Sequence, residues 1–202
     1  MRVVVDWDGT VTEVDGLHLV LLEFGDVGVY DAAEERLGRE LTLHEVIALE
    51  FSSVRAPLAE VVDWVRDNVR VRAGFAEFAR SWQPLIVSSG FHELIEPVLD
   101  REGLQLEVCA NRLDARADGW RTLFRSAEPC PVCGEPCKRS DIAALNGFVY
   151  VGDGFSDRCV AVAAERVFAR DGLADYLSVQ GIPFEPFTEF HDLDAALSGL
   201  AA

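Results

Sequence analysis

The sequence predicts an α/β protein: a mostly parallel sheet with helices on both faces, an all-helical insertion after the first strand, and one small β-hairpin. Three observations predict it. Apolar, strand-like runs recur at residues 2–5, 84–87, 148–151 and 166–168, each followed by polar or glycine-rich residues and then a helical pattern, as expected of parallel strands joined by crossover helices. Residues 13–72 break that alternation with helical periodicity and no convincing strand. Residues 106–124 read as two short strands around Ala117-Asp118-Gly119, an Asp-Gly turn. The expected division is a core of 1–12 and 73–202 with a helical cap of 13–72.

Val3-Val4-Val5 has no polar alternation, as in a strand buried on both faces. It runs into Asp6-Trp7-Asp8-Gly9-Thr10, which puts two carboxylates at a strand end, the edge where open α/β sheets bind ligands. Asp-Gly is also a common turn dipeptide, so a plain turn is the competing reading. In the insertion, Leu17, Val20, Leu21 and Phe24 follow the 3.6-residue period. Val46, Ile47, Leu49 and Glu50-Phe51 follow it less cleanly, then Val61, Val62, Val65 and Val69 follow it again, and Pro57 suits a helix start. Such an insertion would lie over the strand edge as a lid.

The strand at 84–87 leads into Ser88-Ser89-Gly90 and a helix expected over 91–100. After the hairpin comes a turn-rich stretch holding Cys130, Cys133 and Cys137, then Lys138, expected to open a helix over 139–146. The strand at 148–151 ends in Gly152-Asp153-Gly154-Phe155-Ser156-Asp157, with two carboxylates four residues apart. The tail alternates short strands and helices, and Pro183 and Pro186 mark its last loop.

A chain of 202 residues, half of them hydrophobic, can bury one sizeable core or a core with a small subdomain. Its formal net charge of −17 argues against nucleic acid and anionic membranes as partners. An anionic small substrate would need local attraction from a metal, a lysine or helix N-termini. There is no signal-peptide pattern and no bilayer-length apolar run, so a cytoplasmic protein is expected; an acidic single-domain chain of this size is expected to be a monomer or homodimer.

Asp6 with Asp8, Ser88 with Ser89, Lys138, and Asp153 with Asp157 thus fall in order at strand ends or helix starts. Each has a plainer reading alone: a helix cap for the serines, a solvated charge for the lysine, turn residues for the aspartates. Together they supply a nucleophile, a proton donor, a hard metal site, a hydroxyl for a phosphate oxygen and a cation, which are the parts of phosphoryl transfer.

In these motifs the chain resembles the haloacid dehalogenase superfamily, specifically its phosphatases of the phosphoserine phosphatase-like branch, over essentially its whole length. The resemblance implies a Rossmann-like core with a helical cap and a Mg²⁺-dependent phosphomonoesterase acting on a small soluble metabolite through an aspartyl-phosphate. It implies Asp6 as nucleophile, Asp8 as general acid and then base, and Ser88, the Ser89 N–H and Lys138 as phosphate ligands. It implies Mg²⁺ on Asp6, the Asp8 carbonyl and Asp153, with Asp157 through water. Threonine in place of Asp8 marks the family's ion-pumping ATPases, so Asp8 favours phosphatase or phosphotransferase. The cysteine-rich segment before Lys138, Tyr150-Val151-Gly152-Asp153-Gly154 and Ala169-Arg170-Asp171 are similar to two subgroups. One is the methionine-salvage phosphatases of 2-hydroxy-3-keto-5-methylthiopentenyl-1-phosphate; the other is the phosphoethanolamine/phosphocholine phosphatases. Trp7 stands where Phe is usual, and Phe155-Ser156-Asp157 where many relatives have Ala-Asn-Asp. Glu13 is near, but out of register with, the substrate-reading glutamate of phosphoserine phosphatases. The competing functions are a phosphotransferase with the same site and a phosphometabolite-binding protein without turnover.

Five cysteines in a reducing compartment point to thiols or a metal rather than disulfides. Cys130, Cys133 and Cys137 could give three thiolates to a structural Zn²⁺, with Cys109 at the foot of the hairpin as fourth ligand; reduced thiols in a loop are the alternative. Specificity is expected from the cap, where Arg55, Arg66, Arg70, Arg72, His18, His44 and Trp64 are candidates to read the substrate, and His92 is a further one.

Overall fold

The structure is a computed structural model and describes residues 2–199. Among these, seven strands form one sheet in the order β4-β3-β2-β1-β5-β6-β7, with every pair parallel except β3 and β4. The strands are β1 (Arg2–Val5), β2 (Leu85–Phe91), β3 (Val108–Asp114), β4 (Arg121–Leu123), β5 (Phe148–Gly152), β6 (Arg166–Ala169) and β7 (Glu185–Pro186). After β1 the chain builds β2, β3 and β4 on one side, then returns to add β5, β6 and β7 on the other. That reversal opens a crevice beside the C-terminal end of β1, the place where such sheets bind ligands.

The central strands are buried on both faces. Val3, Val5, Ile86, Val149 and Val151 join one core with α5 (Phe75–Trp82), α6 (His92–Arg101) and α9 (Phe190–Ser198). Val4, Leu85, Val87, Phe148 and Tyr150 join a second core with α7 (Arg158–Ala161) and α8 (Asp171–Gln180). This double burial is why these strands read as unbroken apolar runs.

Between β1 and β2 lie α1 (Gly16–Phe24), α2 (Val27–Glu34), α3 (Leu43–Phe51) and α4 (Leu58–Asn68). Asp15, Asp26 and Thr42 cap the first three through side-chain oxygens, and Pro57 precedes α4. The periodic residues Val20, Leu21, Val46, Ile47, Phe51, Val61 and Val65 are buried. Helix α2 has no counterpart in the sequence pattern because it buries only Ala33. The Phe51 ring meets Phe91 edge-on at 4.8 Å, and Trp120 of the hairpin donates Nε1–H to the Ala56 carbonyl at 3.0 Å. The helices are thereby seated on the sheet.

The expected helix over 139–146 is not formed. Residues Lys138–Ser140 make a single tight turn, and i→i+3 bonds continue to Leu145. The stretch lies between an extended Cys137 and Gly147 at φ +73°, too short to repay helix nucleation. No helix among the described residues is long and apolar enough to cross a membrane.

Candidate active site

Asp6 leaves β1 with its N–H bonded to Val151 of β5 at 2.9 Å, so its carboxylate starts from the switch point of the sheet. The chain then makes a wide turn over Trp7–Val11, closed by Thr12 N–H to the Trp7 carbonyl at 3.0 Å. Gly9 takes φ +76°, and a Cβ there would strike the Asp153 carboxylate. Arg72 holds the turn from outside, donating to the carbonyls of Gly9 (2.8 Å), Thr10 (2.9 Å) and Thr12 (3.0 Å). It is buried here and does not face the cavity over Asp6 and Asp8, so it does not take the substrate-reading part expected of it.

Lys138 is almost fully buried, and its ammonium donates to Asp6 at 2.5 Å and to Asp157 at 2.7 Å. Asp157 also accepts from Tyr150 Oη at 2.6 Å and from the N–H groups of Asp153 and Gly154, each at 2.9 Å. Asp153 accepts from Thr10 Oγ1 at 2.6 Å. Carboxylate oxygens of Asp6, Asp153 and Asp157 all lie within 4.8 Å of one another. Three carboxylates thus cluster around one ammonium that bonds two of them, so acidic groups outnumber the cation.

The titration behaviour follows from this arrangement. Burial, then the Asp157 charge, push Asp6 well above the ordinary carboxylate range against the pull of Lys138. Burial and Asp157 lift Asp153 to about 6. Asp157 is held low, because Lys138 and the Gly154 N–H outweigh its burial. Lys138 is held above the usual lysine range by Asp157 and Asp6, which outweigh burial. Surplus negative charge on oxygen-only donors is what a hard divalent cation would neutralise, so the residues fit Mg²⁺.

Asp8 faces the same space. Its carboxylate accepts from Gly16 N–H at 3.2 Å and from Ser88 Oγ at 3.3 Å. Burial and the Asp15 charge raise it to about 8. Ser88 reaches it because β2 slips against β3 between Val87 and Phe91, where a bulge re-aims the Ser88-Ser89-Gly90 segment. Gly90 fits closely, since a Cβ would stand 2.8 Å from Asp8 Oδ2. Behind the bulge, Asn111 donates to the Ser89 carbonyl at 2.8 Å and Arg125 to the Ser88 carbonyl at 2.9 Å. Arg125 is anchored by two bonds to Asp141 (2.9 and 2.7 Å). Asn111 and Arg125 escape motif reading because each acts through backbone carbonyls.

A cavity of about 240 Å³ lies over Asp6, Asp8 and Asp153 and is roofed by α1, α2 and α3. Leu17, Leu21, Val46 and Ile47 give it apolar walls, and Asp15, His18, Tyr30, Glu34 and Glu50 give it polar ones. No arginine or lysine is among its described lining residues. Of the expected cap readers, His18 lines this cavity, whereas His44 stacks on Phe124 at 3.9 Å beside a neighbouring, larger one. Arg55 bonds the Ser53 carbonyl, Arg66 pairs with Asp63, Trp64 packs on Phe24, and His92 pairs with Glu96. Arg70 is exposed and lines an outer groove on the far flank.

Cys130, Cys133 and Cys137 are brought together, but Cys109 is not with them. It sits on β3, paired with Val87, and packs against the second core. The fourth sulfur in the cluster is Cys159 of α7, all four lying within 4.8 Å of one another. Cys159 stands two residues after Asp157 and Cys137 one before Lys138, so the Lys138–Asp157 contact itself draws them near.

Comparison with known proteins agrees with this fold. A family model described as haloacid dehalogenase-like hydrolase matches residues 3–161. A protein of Geobacillus kaustophilus named 2-hydroxy-3-keto-5-methylthiopentenyl-1-phosphate phosphatase is 29% identical over 205 residues, covering 95% of this chain and 93% of that one. A protein of the same name from an Exiguobacterium species is 24% identical over 211 residues, covering 98% of each. Among solved structures, a phospho-aspartyl intermediate analogue of phosphoserine phosphatase superposes with a TM-score of 0.69 at 16% identity, covering 93% of each chain. A phosphoserine phosphohydrolase-like protein from Francisella tularensis gives 0.70 at 15%, covering 97% of this chain and 99% of its own. These likenesses speak for the fold.

Proposed function

This chain belongs to the haloacid dehalogenase-like hydrolases, and from that premise we propose that it hydrolyses a small phosphomonoester through a phosphoenzyme on Asp6, with Mg²⁺ as its metal. The observation that carries the reading is Asp6 beside Lys138 at the switch point, with Asp8 raised to about 8 two residues on.

In this scheme an oxygen of the Asp6 carboxylate, which Lys138 and a bound Mg²⁺ would keep ionised against its burial, attacks phosphorus and the ester P–O bond breaks. The leaving oxygen takes the proton of Asp8, which at neutral pH is largely protonated. Asp8, now a carboxylate, then takes a proton from water as that water attacks phosphorus. The bond from phosphorus to Asp6 breaks, inorganic phosphate leaves, and both aspartates return to their starting states. Burial serves both halves, since a group near pH 8 can give and regain a proton. Ser88 Oγ and the Ser89 N–H donate to phosphate oxygens, and Lys138 joins the phosphate to Asp6. Asp157 aligns Lys138. Mg²⁺ would be held by Asp6, Asp153 and the Asp8 main-chain carbonyl, the Asp157 oxygens being taken up by Lys138, Tyr150 and two backbone N–H groups; when bound it screens the repulsion between two anions.

Residues 13–72 act in this reading as a cap on a core of 1–12 and 73–202, closing the cavity and excluding water from the first step. A cavity of about 240 Å³ suits a small ester. Asp15, Glu34 and Glu50, with no facing arginine or lysine among the described lining residues, favour a substrate whose far end is neutral or cationic over one with a second anion. The ester in the relatives' names has no second anion and is the first to test.

The test is a phosphomonoester panel with Mg²⁺, containing the methylthiopentenyl ester, phosphocholine, phosphoethanolamine, phosphoserine and sugar phosphates. Phosphate release that EDTA abolishes, with label trapped on Asp6 from a ³²P-ester after rapid quench, is expected. No release from any member, or phosphate passed only to an added alcohol, overturns the reading.

A further inference from the structure

We propose that Cys130, Cys133, Cys137 and Cys159 bind one zinc ion as four thiolates, tying the segment before Lys138 to the segment after Asp157.

The geometry is the first argument. A tetrahedral zinc with Zn–S bonds of about 2.3 Å places its sulfurs about 3.8 Å apart. Here the Cys130 and Cys159 sulfurs are 3.8 Å apart, those of Cys133 and Cys137 are 3.5 Å apart, and all four lie within 4.8 Å of one another. Sulfur-only donors in such a cluster select zinc or iron over the hard cations that suit Asp6 and Asp153.

The backbone around the sulfurs is the second. Pro131 starts a tight turn that Gly134 ends at φ +80°, closed by Gly134 N–H to the Cys130 carbonyl at 2.8 Å. The turn puts Cys130 and Cys133 on one side and aims the Val132 N–H at Cys130 Sγ across 3.4 Å. Arg139 donates to the Cys159 carbonyl at 3.0 Å, bringing a cation to a centre whose four thiolates outweigh a divalent ion.

The third is what else could hold this stretch. Between Leu123 of β4 and Phe148 of β5 there is no strand and no α-helix among the described residues. Val132 is 59% exposed, and of the segment 126–137 only Cys130 is buried. Irregular segments that bury little core call for another constraint, and a structural metal is one of the few that four clustered thiols can supply. Binding converts four thiols to thiolates and releases their protons. The staple would fix Lys138 and Asp157 from behind, because Cys137 and Cys159 adjoin them in sequence.

The experiment measures metal in the whole protein, purified under reducing conditions without chelator, added zinc or a metal-affinity column. About one zinc per chain is expected, retained in Cys109→Ser and lost in Cys133→Ser and Cys159→Ser. Cys133 is exposed, so its variant should keep the wild-type circular dichroism. Cobalt exchanged into the unaltered protein should give thiolate-to-cobalt charge transfer and the intense visible bands of a tetrahedral site. Zinc removal with an organomercurial should speed amide exchange in residues 130–145 and 153–162 but not in β1. Zinc well below one equivalent with all five thiols free, iron in its place, disulfides in the native mass, or metal loss in Cys109→Ser would each overturn the proposal.

Discussion

Lys138 meets Asp157 at 2.7 Å with both side chains sealed from solvent, and Asp157 spends its remaining acceptor capacity on Tyr150 and two backbone N–H groups. A buried ammonium with a fully bonded carboxylate is costly to break by removing one partner. Asp157→Asn should therefore lower stability by about 3 kcal/mol and turnover as well, because Lys138 is then left to Asp6 alone. The sign with pH is set by the depressed titration of Asp157. Its stabilisation is present above the unfolded aspartate value and is lost as pH falls through the lower folded one. Urea unfolding across the acid range should show that loss in the wild type and not in the variant.

Asp6 and Asp8 differ in role, and their amides should differ in what survives. Asp6→Asn removes the nucleophile and should cut turnover by on the order of 10³-fold or more. Asp8→Asn keeps it but loses proton transfer, a loss of about 10²- to 10⁴-fold. Esters with acidic leaving alcohols should recover part of the Asp8→Asn loss and none of the Asp6→Asn loss. Because Asp8 is raised to about 8, kcat/KM should fall as pH climbs through that region. A pH–rate series on the wild type, with a poor and a good leaving group, measures both effects.

Glu50 carries a different pH signature. It is buried against the cavity with Oε1 unpartnered, and burial followed by Glu34 and Asp15 raises it to about 8. Its folded value lies above its unfolded one, so the folded state binds the extra proton between them. Stability then declines as pH rises from the ordinary glutamate value toward 8. Glu50→Gln should flatten that decline and stabilise the protein near pH 8 by on the order of 2 kcal/mol, with little change near pH 4. Denaturant midpoints at the two pH values, without ligand, read it directly.

The sheet and the reacting groups were legible because each left a local trace. Val3-Val4-Val5 is apolar because both of its faces are covered, and the site aspartates follow strand ends that any parallel sheet gathers to one edge, while Lys138 opens a tight turn whose ammonium reaches them. Helix α2 left no trace, since one buried alanine makes no periodicity. The helix expected after Lys138 failed because a short segment between two fixed ends takes tighter turns instead. Cys159 stood alone in sequence, and only the Lys138–Asp157 contact reveals it as the neighbour of Cys137. Asn111 and Arg125 support the Ser88 bulge through carbonyls, a function with no residue pattern of its own.

Arg72 shows how far a misread charge can lie from its use. Its guanidinium points at the carbonyls of Gly9, Thr10 and Thr12, which a planar fork of donors satisfies together and a lysine cannot. Those carbonyls belong to the turn that carries Asp8 and lets Gly9 pass close to Asp153. Arg72→Lys should leave some of them buried and unbonded, at a cost of about 1–3 kcal/mol, and should loosen the turn. The displacement acts on the reacting carboxylates rather than on the cavity wall, so turnover should fall about 10-fold or more while KM changes little. Had Arg72 read the substrate, KM would rise first and a substrate lacking the recognised group would be indifferent to the substitution. Steady-state kinetics on two substrates of different size, alongside thermal unfolding, separates these outcomes.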